Sequence, residues 1–76
     1  MTSIKILINK IADIKDFITQ VNKSQYKIFA KSGHYVVDAK SILGIFSLDL
    51  STSILIESEE SIEPHIIKAL EKYKAE

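Results

Sequence analysis

The sequence contains no cysteine, no tryptophan and no arginine among its 76 residues, and it has only two glycines and one proline. The absence of cysteine excludes a disulfide framework, a thiolate metal site and a cysteine nucleophile. Because small secreted domains usually depend on disulfides, we expect a cytoplasmic protein. The absence of arginine removes the side chain best suited to bidentate capture of phosphate or carboxylate groups.

Glycine and histidine are too few to suggest a catalytic or metal site. Gly33 and Gly44 are isolated, so a glycine-rich phosphate loop cannot form, and neither a nucleophile elbow nor a paired-carboxylate motif is present. His34 and His65 have no partner residue at metal-ligand spacing. We therefore expect no enzymatic activity, no bound metal and no cofactor.

Charge and hydropathy exclude two further classes of partner. No uninterrupted apolar run exceeds three residues, and the N-terminus lacks the basic start and apolar core of an export signal. Ten lysines balance ten acidic residues, so no net charge attracts a polyanion. We expect neither a membrane nor a nucleic-acid partner.

Aliphatic residues are what the chain has in abundance. Hydrophobic residues make up 46% of it, and fourteen of these are isoleucine. A chain of this length and composition is typical of one folded domain, here residues 1–76.

Hydrophobic periodicity predicts four strands and three helices. Alternating apolar residues indicate strands at residues 1–9, 26–31, 34–39 and 53–57, with a turn at Ser32-Gly33 between the second and third. Helical spacing begins after Asn9, Ser41 and Ser61, which we assign as N-caps. In the first helix the predicted apolar stripe is Ile11, Ile14, Phe17, Ile18 and Val21.

This order of elements suits an α+β fold, with three helices on one face of a mostly antiparallel four-stranded sheet. The other face of the sheet is expected to be open to solvent. Tyr26, Phe29 and Tyr35 offer rings for stacking on single-stranded RNA if they share that face, which is one alternative function.

One segment carries a family resemblance. Ala39-Lys40-Ser41-Ile42-Leu43-Gly44-Ile45-Phe46-Ser47-Leu48 is similar to the Lys-Ser-Ile-Met-Gly-Val-Met-Ser-Leu stretch of HPr, the histidine-containing phosphocarrier of the bacterial sugar phosphotransferase system. The order of elements also matches that family. The resemblance implies an open-faced β-sandwich of order βαββαβα, whose first two helices meet protein partners of the phosphotransferase system.

The chain departs from that family where the family places its phosphorylated histidine. In HPr this residue stands at the start of the first helix, where backbone N–H groups receive the phosphoryl group, and it is followed by alanine, arginine and proline. Here residues 9–13 read Asn-Lys-Ile-Ala-Asp, and Lys10 or Ile11 lies nearest the missing histidine. The resemblance therefore implies an HPr-like protein that has lost phosphoryl transfer and acts by docking or regulation. A divergent carrier that uses His34 is the alternative.

The resemblance also implies a regulatory site and a docking surface. Ser41 matches the serine that a dedicated kinase phosphorylates in some members, and Lys40 is adjacent, although an N-cap role alone also explains a serine there. Simple burial is the alternative explanation for the apolar residues that follow. The candidate partner-docking residues are Lys10, Lys15, Ile42, Leu43 and Phe46. The partner, the sugar pathway and the oligomeric state stay open.

Overall fold

The computed structural model describes residues 1–75, which form a four-stranded antiparallel sheet covered on one face by helices. The spatial order of the strands is β1-β4-β2-β3. The predicted α+β class and the βαββαβα order are confirmed. The elements are β1 Thr2–Ile6, α1 Ile11–Val21, β2 Phe29–Ser32, β3 Tyr35–Asp38, α2 Ile42–Phe46, β4 Ile54–Ser58 and α3 Pro64–Leu70, the last continued by a 3₁₀ turn, Glu71–Tyr73.

Strand register separates the core from the open face. Ile4, Ile56, Ala30 and Val37 lie side by side across the four strands, on the face that the helices cover. The neighbouring row of residues points to the opposite face of the sheet, because side chains alternate along each strand. That row consists of Lys5, Leu55, Lys31 and Val36.

The helices bury one apolar stripe each against the sheet. Phe17 in α1, Ile45 in α2 and Ile66 in α3 have no exposed surface. Full burial of a side chain of this size contributes roughly 1.5 to 3 kcal/mol, so these contacts dominate the stability of a small fold. Among residues 1–75, no helix has the length and hydropathy of a membrane span.

The second strand starts later than the alternation predicts, at Phe29 and not at residue 26. The amide N–H of Tyr26 donates to Ser24 Oγ, and that of Gln25 donates to a carboxylate oxygen of Glu63. These amides are therefore bonded within a loop and to α3, and they are not available to a strand ladder.

Two of the three predicted N-caps are wrong. The N-cap of α1 is Lys10, not Asn9, and that of α3 is Glu63, not Ser61. The N–H of Ile62 donates to Thr2 Oγ1 at 3.0 Å, which ties the segment before α3 to β1 and delays the helix until Pro64. The predicted placement of proline in the first turn is confirmed.

The C-terminal segment covers the outer edge of the first strand. The Leu7 N–H donates to the Tyr73 carbonyl, and the Ala75 N–H donates to the Lys5 carbonyl, both at 2.8 Å. Tyr73 and Lys72 also reach α1, where the Tyr73 hydroxyl donates to Asp16 at 2.5 Å. This side of the sheet is thereby closed.

Candidate functional site

The first turn of α1 is the place where the family resemblance puts phosphoryl chemistry. Lys10 precedes the helix with extended backbone, and the Ile14 N–H donates to the Lys10 carbonyl at 3.0 Å. No side chain of residues 1–75 caps this end, so the early amides are open to solvent or to a ligand. Asp13 lies in the same turn, and its negative charge opposes an incoming anion.

His65 lies far from that turn. It belongs to the first turn of α3, two positions after Glu63, whose carboxylate accepts from Ser24 Oγ at 2.7 Å. Ser24 follows the C-terminal end of α1, so His65 stands at the opposite end of α1 from Lys10. Helix α1, which is eleven residues or about 16 Å long, lies between the two ends.

His34 is exposed in the hairpin turn between β2 and β3. The turn stands at the same end of the sheet as the start of α1, because β1 and β2 run in the same direction on either side of β4. The turn nevertheless leads into β3, which lies three strand spacings, or about 14 Å, from β1. Neither imidazole is therefore part of the α1 first turn.

Ser41 is the N-cap of α2. Its Oγ accepts from the Gly44 N–H at 3.1 Å, and its side chain is half-buried. The capping role predicted for this serine is confirmed. Lys40 is adjacent in sequence, but its Nζ donates to the Ser24 carbonyl at 2.7 Å, so the ammonium group is held away from the serine hydroxyl by another partner.

Helix α2 presents most of its apolar side chains to solvent. Leu43 is 80% exposed, Phe46 is 46% exposed and Ile42 is 40% exposed, whereas Ile45 is buried. Burial under the sandwich, the alternative explanation for these three residues, is therefore wrong. We refer to Ile42, Leu43 and Phe46 together as the α2 apolar surface.

Gly44 explains how α2 comes so close to the sheet. A Cβ atom at this position would stand 3.2 Å from the Val37 Cβ and 3.4 Å from the Asp38 carbonyl oxygen. The glycine faces β3, so its helical neighbours at Ile42, Leu43 and Phe46 are directed away from the core.

The start of α1 adds an exposed apolar residue that the sequence pattern placed in the core. Ile11 is 63% exposed, although it shares the helical spacing of the buried Ile14 and Phe17. Lys10 and Lys15 are also exposed. Periodicity alone cannot show that the first turn of a helix projects beyond the surface that the rest of the helix covers.

Helices α1 and α2 are joined at one end. Asn22 follows α1, and its Nδ2 donates to the Lys40 carbonyl, just before α2, at 3.2 Å. From there α2 runs back toward the end of the sheet where α1 begins, since β3 precedes it and β4 starts at that end. The C-terminal end of α2, with Phe46, thus points toward the same end of the molecule as Lys10 and Ile11.

A polar cluster that the sequence pattern did not reveal links the segment after α1 to the N-cap of α3. The Glu63 carboxylate accepts from the Ser24 hydroxyl and from the Gln25 N–H. The Ser24 hydrogen bond is the main reason that the pKa of Glu63 is lowered. The partners are 38 or more positions apart in sequence, so no local motif could have identified them.

The proposed RNA-stacking face does not form. Phe29 lies on the open face, but Tyr26 packs against the core, and Tyr35 shares the helix-facing parity of Val37. Because the three rings lie on different faces, they cannot stack successive bases as one platform.

Comparisons with known proteins identify the fold. No protein-family model matches the chain, and no curated protein matches it. Among solved structures, the chain is similar to the crystal structure of HPr-C-His from Thermoanaerobacter tengcongensis, with a TM-score of 0.76 and 28% sequence identity. The match covers 92% of this chain and 86% of that chain. The chain therefore has an HPr-like fold.

Proposed function

We propose that this chain is an HPr-like docking or regulatory protein of the cytoplasm, which binds protein partners of the phosphotransferase system and carries no phosphoryl group. Support comes from the HPr neighbour and from the exposure of the α2 apolar surface. In this proposal the chain has no catalytic activity of its own.

The α2 apolar surface is the observation that carries the proposal. Three large apolar side chains on a helix of five residues remain exposed, while only Ile45 packs inward. Clustered exposed apolar residues are typical of protein interaction sites, where a few central side chains provide most of the binding energy. Lys10 and Lys15 are exposed on α1, which contacts α2, and their positive charge favours acidic residues on the partner.

The start of α1 supports docking without phosphoryl transfer. A carrier residue needs a nucleophilic nitrogen with a free lone pair, which neutral imidazole has and a lysine ammonium lacks. Residues 9–13 contain no histidine, and Asp13 adds a negative charge to the turn that would hold the phosphoryl group. A partner can still contact this turn through Lys10.

Ser41 is the proposed regulatory position. Its hydroxyl bonds the Gly44 N–H, so a phosphate there would face the first amides of α2 and could accept from them. The phosphate would also place a double negative charge beside Ile42. Phosphorylation is therefore expected to change the docking surface without a change of fold.

The introduction of a charge on α2 tests the docking proposal. We expect Leu43→Glu and Ile42→Glu to weaken binding to the general phosphotransfer enzyme or to the serine kinase of this system by about tenfold or more, because each puts a charge into an apolar contact. Isothermal titration calorimetry measures the affinity. Val36→Glu is the matched control, since it makes the same change at an exposed apolar residue on the open face of the sheet.

The proposal would be overturned if all three variants bound the partner as tightly as the wild-type chain does, with circular dichroism showing that each variant is folded. Loss of binding only in Val36→Glu would instead place the docking surface on the sheet.

A further inference from the structure

The two edges of the sheet are treated differently. The outer edge of β1 is covered by the C-terminal segment through the hydrogen bonds of Leu7 and Ala75. The outer edge of β3 has no such cover among residues 1–75. Proteins usually protect an open edge by a very short strand, by charged side chains such as lysine, by proline or by a bulge, because an open edge invites pairing with another strand.

Strand β3 is short, with four residues, and ends at the charged Asp38, but it lacks the other protective features. Its sequence is Tyr-Val-Val-Asp, in which the first three residues favour strands and none is lysine or proline. Its register with β2 is continuous from Tyr35 to Asp38, without a bulge. The edge is therefore regular and able to accept a further strand.

The phase of the strand shows which backbone groups face outward. The Ala39 N–H donates to the Ile28 carbonyl at 2.9 Å, so the amides of odd-numbered residues point toward β2. In a trans peptide the C=O is opposite the N–H, and the groups therefore alternate along the strand. The outward groups are the His34 C=O, the Val36 N–H and C=O, and the Asp38 N–H and C=O.

One of these five groups is already bonded. The Asp38 carbonyl accepts from the Ser41 N–H at 3.0 Å, at the turn into α2. Two donors and two acceptors remain on the edge, at His34, Val36 and Asp38.

We infer that two copies of this chain pair through β3, antiparallel and about a two-fold axis at Val36. In that register the two Val36 residues exchange N–H···O=C bonds, and the Asp38 N–H of each copy donates to the His34 carbonyl of the other. All four free groups of each edge are then bonded. The pair would join two four-stranded sheets into one of eight strands.

The side chains agree with the same register. His34 of one copy stands opposite Asp38 of the other, on the same face of the joined sheet, and this occurs twice by symmetry. Asp38 uses Oδ1 to accept from the Lys40 N–H at 2.9 Å, which leaves Oδ2 for an imidazole N–H. Tyr35 stands opposite Val37, an aromatic and β-branched pair that stabilises antiparallel strands.

A second copy fits this edge better than an unrelated extended peptide. Any peptide could bond the backbone groups, but only a strand with an acid and a histidine in this spacing also supplies both polar pairs. The contact is short and lies well below the size of a stable interface, so the pair is expected to form at high protein concentration.

Sedimentation and NMR at increasing concentration test the inference. Between about 20 μM and about 2 mM, sedimentation velocity is expected to show a monomer–dimer equilibrium, and the amides of Val36 and Asp38 to shift. A mixed-label sample is expected to show intermolecular contacts between Tyr35 and Val37.

Substitutions on the edge identify the surface. His34→Glu puts two carboxylates opposite each other, twice, and is expected to raise the dissociation constant about 3- to 30-fold, whereas His34→Lys places a donor opposite Asp38 and is expected to keep the dimer. Val36→Pro removes the central N–H and is expected to abolish the dimer. Leu43→Glu is the control, because it alters the proposed docking surface and is expected to leave the dimer unchanged.

A monomer at the highest concentration would overturn the inference, as would a dimer that His34→Glu does not weaken. A dimer lost in Leu43→Glu but kept in folded Val36→Pro would place the contact on α2. Because Ile42→Glu and Leu43→Glu probe partner binding whereas His34→Glu and Val36→Pro probe self-association, the failure of one proposal leaves the other standing.

Discussion

Asp16 connects α1 to the C-terminal segment, and its replacement by asparagine is expected to destabilise the fold in a pH-dependent way. Lys72 Nζ lies 2.8 Å from Asp16 Oδ2, the Tyr73 hydroxyl donates to the same oxygen, and Gln20 Nε2 donates to Oδ1 at 3.3 Å. These hydrogen bonds, that of Lys72 first, lower the pKa of Asp16 from 3.8 to about 2.

The magnitude follows from the difference in pKa between the folded and unfolded chain. Each pKa unit corresponds to about 1.4 kcal/mol, so the full shift would be about 2.4 kcal/mol. The Asp16 side chain is 32% exposed, and solvent screening reduces the contribution of such a pair to about 1 kcal/mol. We expect Asp16→Asn to lower the free energy of unfolding at pH 7 by about that amount.

The sign of the pH dependence is set by the lowered pKa. A carboxylate whose pKa is lower in the folded state stabilises it above the unfolded pKa of 3.8, and this contribution is lost as the pH falls toward 2. The difference between wild type and Asp16→Asn should therefore be full at pH 7, shrink below about pH 5 and be close to zero near pH 2.

Urea denaturation followed by circular dichroism measures both quantities. Glu71→Gln is the control, because it removes one negative charge from the 3₁₀ turn after α3, at an exposed residue that has no ion pair in the described part of the chain. An equal loss of stability in both variants, or a difference for Asp16→Asn that is the same at pH 7 and pH 2.5, would refute the reasoning.

Two further substitutions test the local structure, both by urea denaturation. Ser41→Ala removes the bond to the Gly44 N–H and is expected to lower the free energy of unfolding by about 1 kcal/mol, whereas Ser53→Ala, at an exposed serine outside the helices and strands, should change it little. Gly33 has φ 58°, so Gly33→Ala is expected to destabilise the hairpin by about 1 to 2 kcal/mol; no loss would contradict the positive φ.

The fold was predictable because its signals are local. Alternation around Ile4 and Ile56 indicates strands, the spacing of Ile14, Phe17 and Val21 indicates a helix, and the short spacing between elements favours one antiparallel sheet. The stretch around Ser41 added the family resemblance.

The errors have long-range causes. Residues 26–28 alternate like a strand, but hydrogen bonds to Ser24 and to the distant Glu63 hold the preceding backbone in a loop. Ser61 has the side chain of an N-cap, but the contact between Ile62 and Thr2, 60 positions away, determines where the helix begins. Local propensity cannot include such contacts.

The candidate site was predictable in part. The apolar residues of α2 were identified from the sequence, but their exposure depends on the close approach of Gly44 to β3, which only the packing reveals. Ile11 follows the core spacing and is nevertheless exposed, since the start of α1 extends beyond the surface it covers.

The proposed function is docking by this HPr-like chain without acceptance of a phosphoryl group. The most direct measurement is incubation with phosphoenolpyruvate and the general phosphotransfer enzyme, followed by intact-mass analysis at neutral pH, with an active HPr as the positive control. We expect a complex with the enzyme and no gain of phosphoryl mass on this chain. Acid-labile phosphate on the chain, lost in His34→Ala or in His65→Ala, would contradict it.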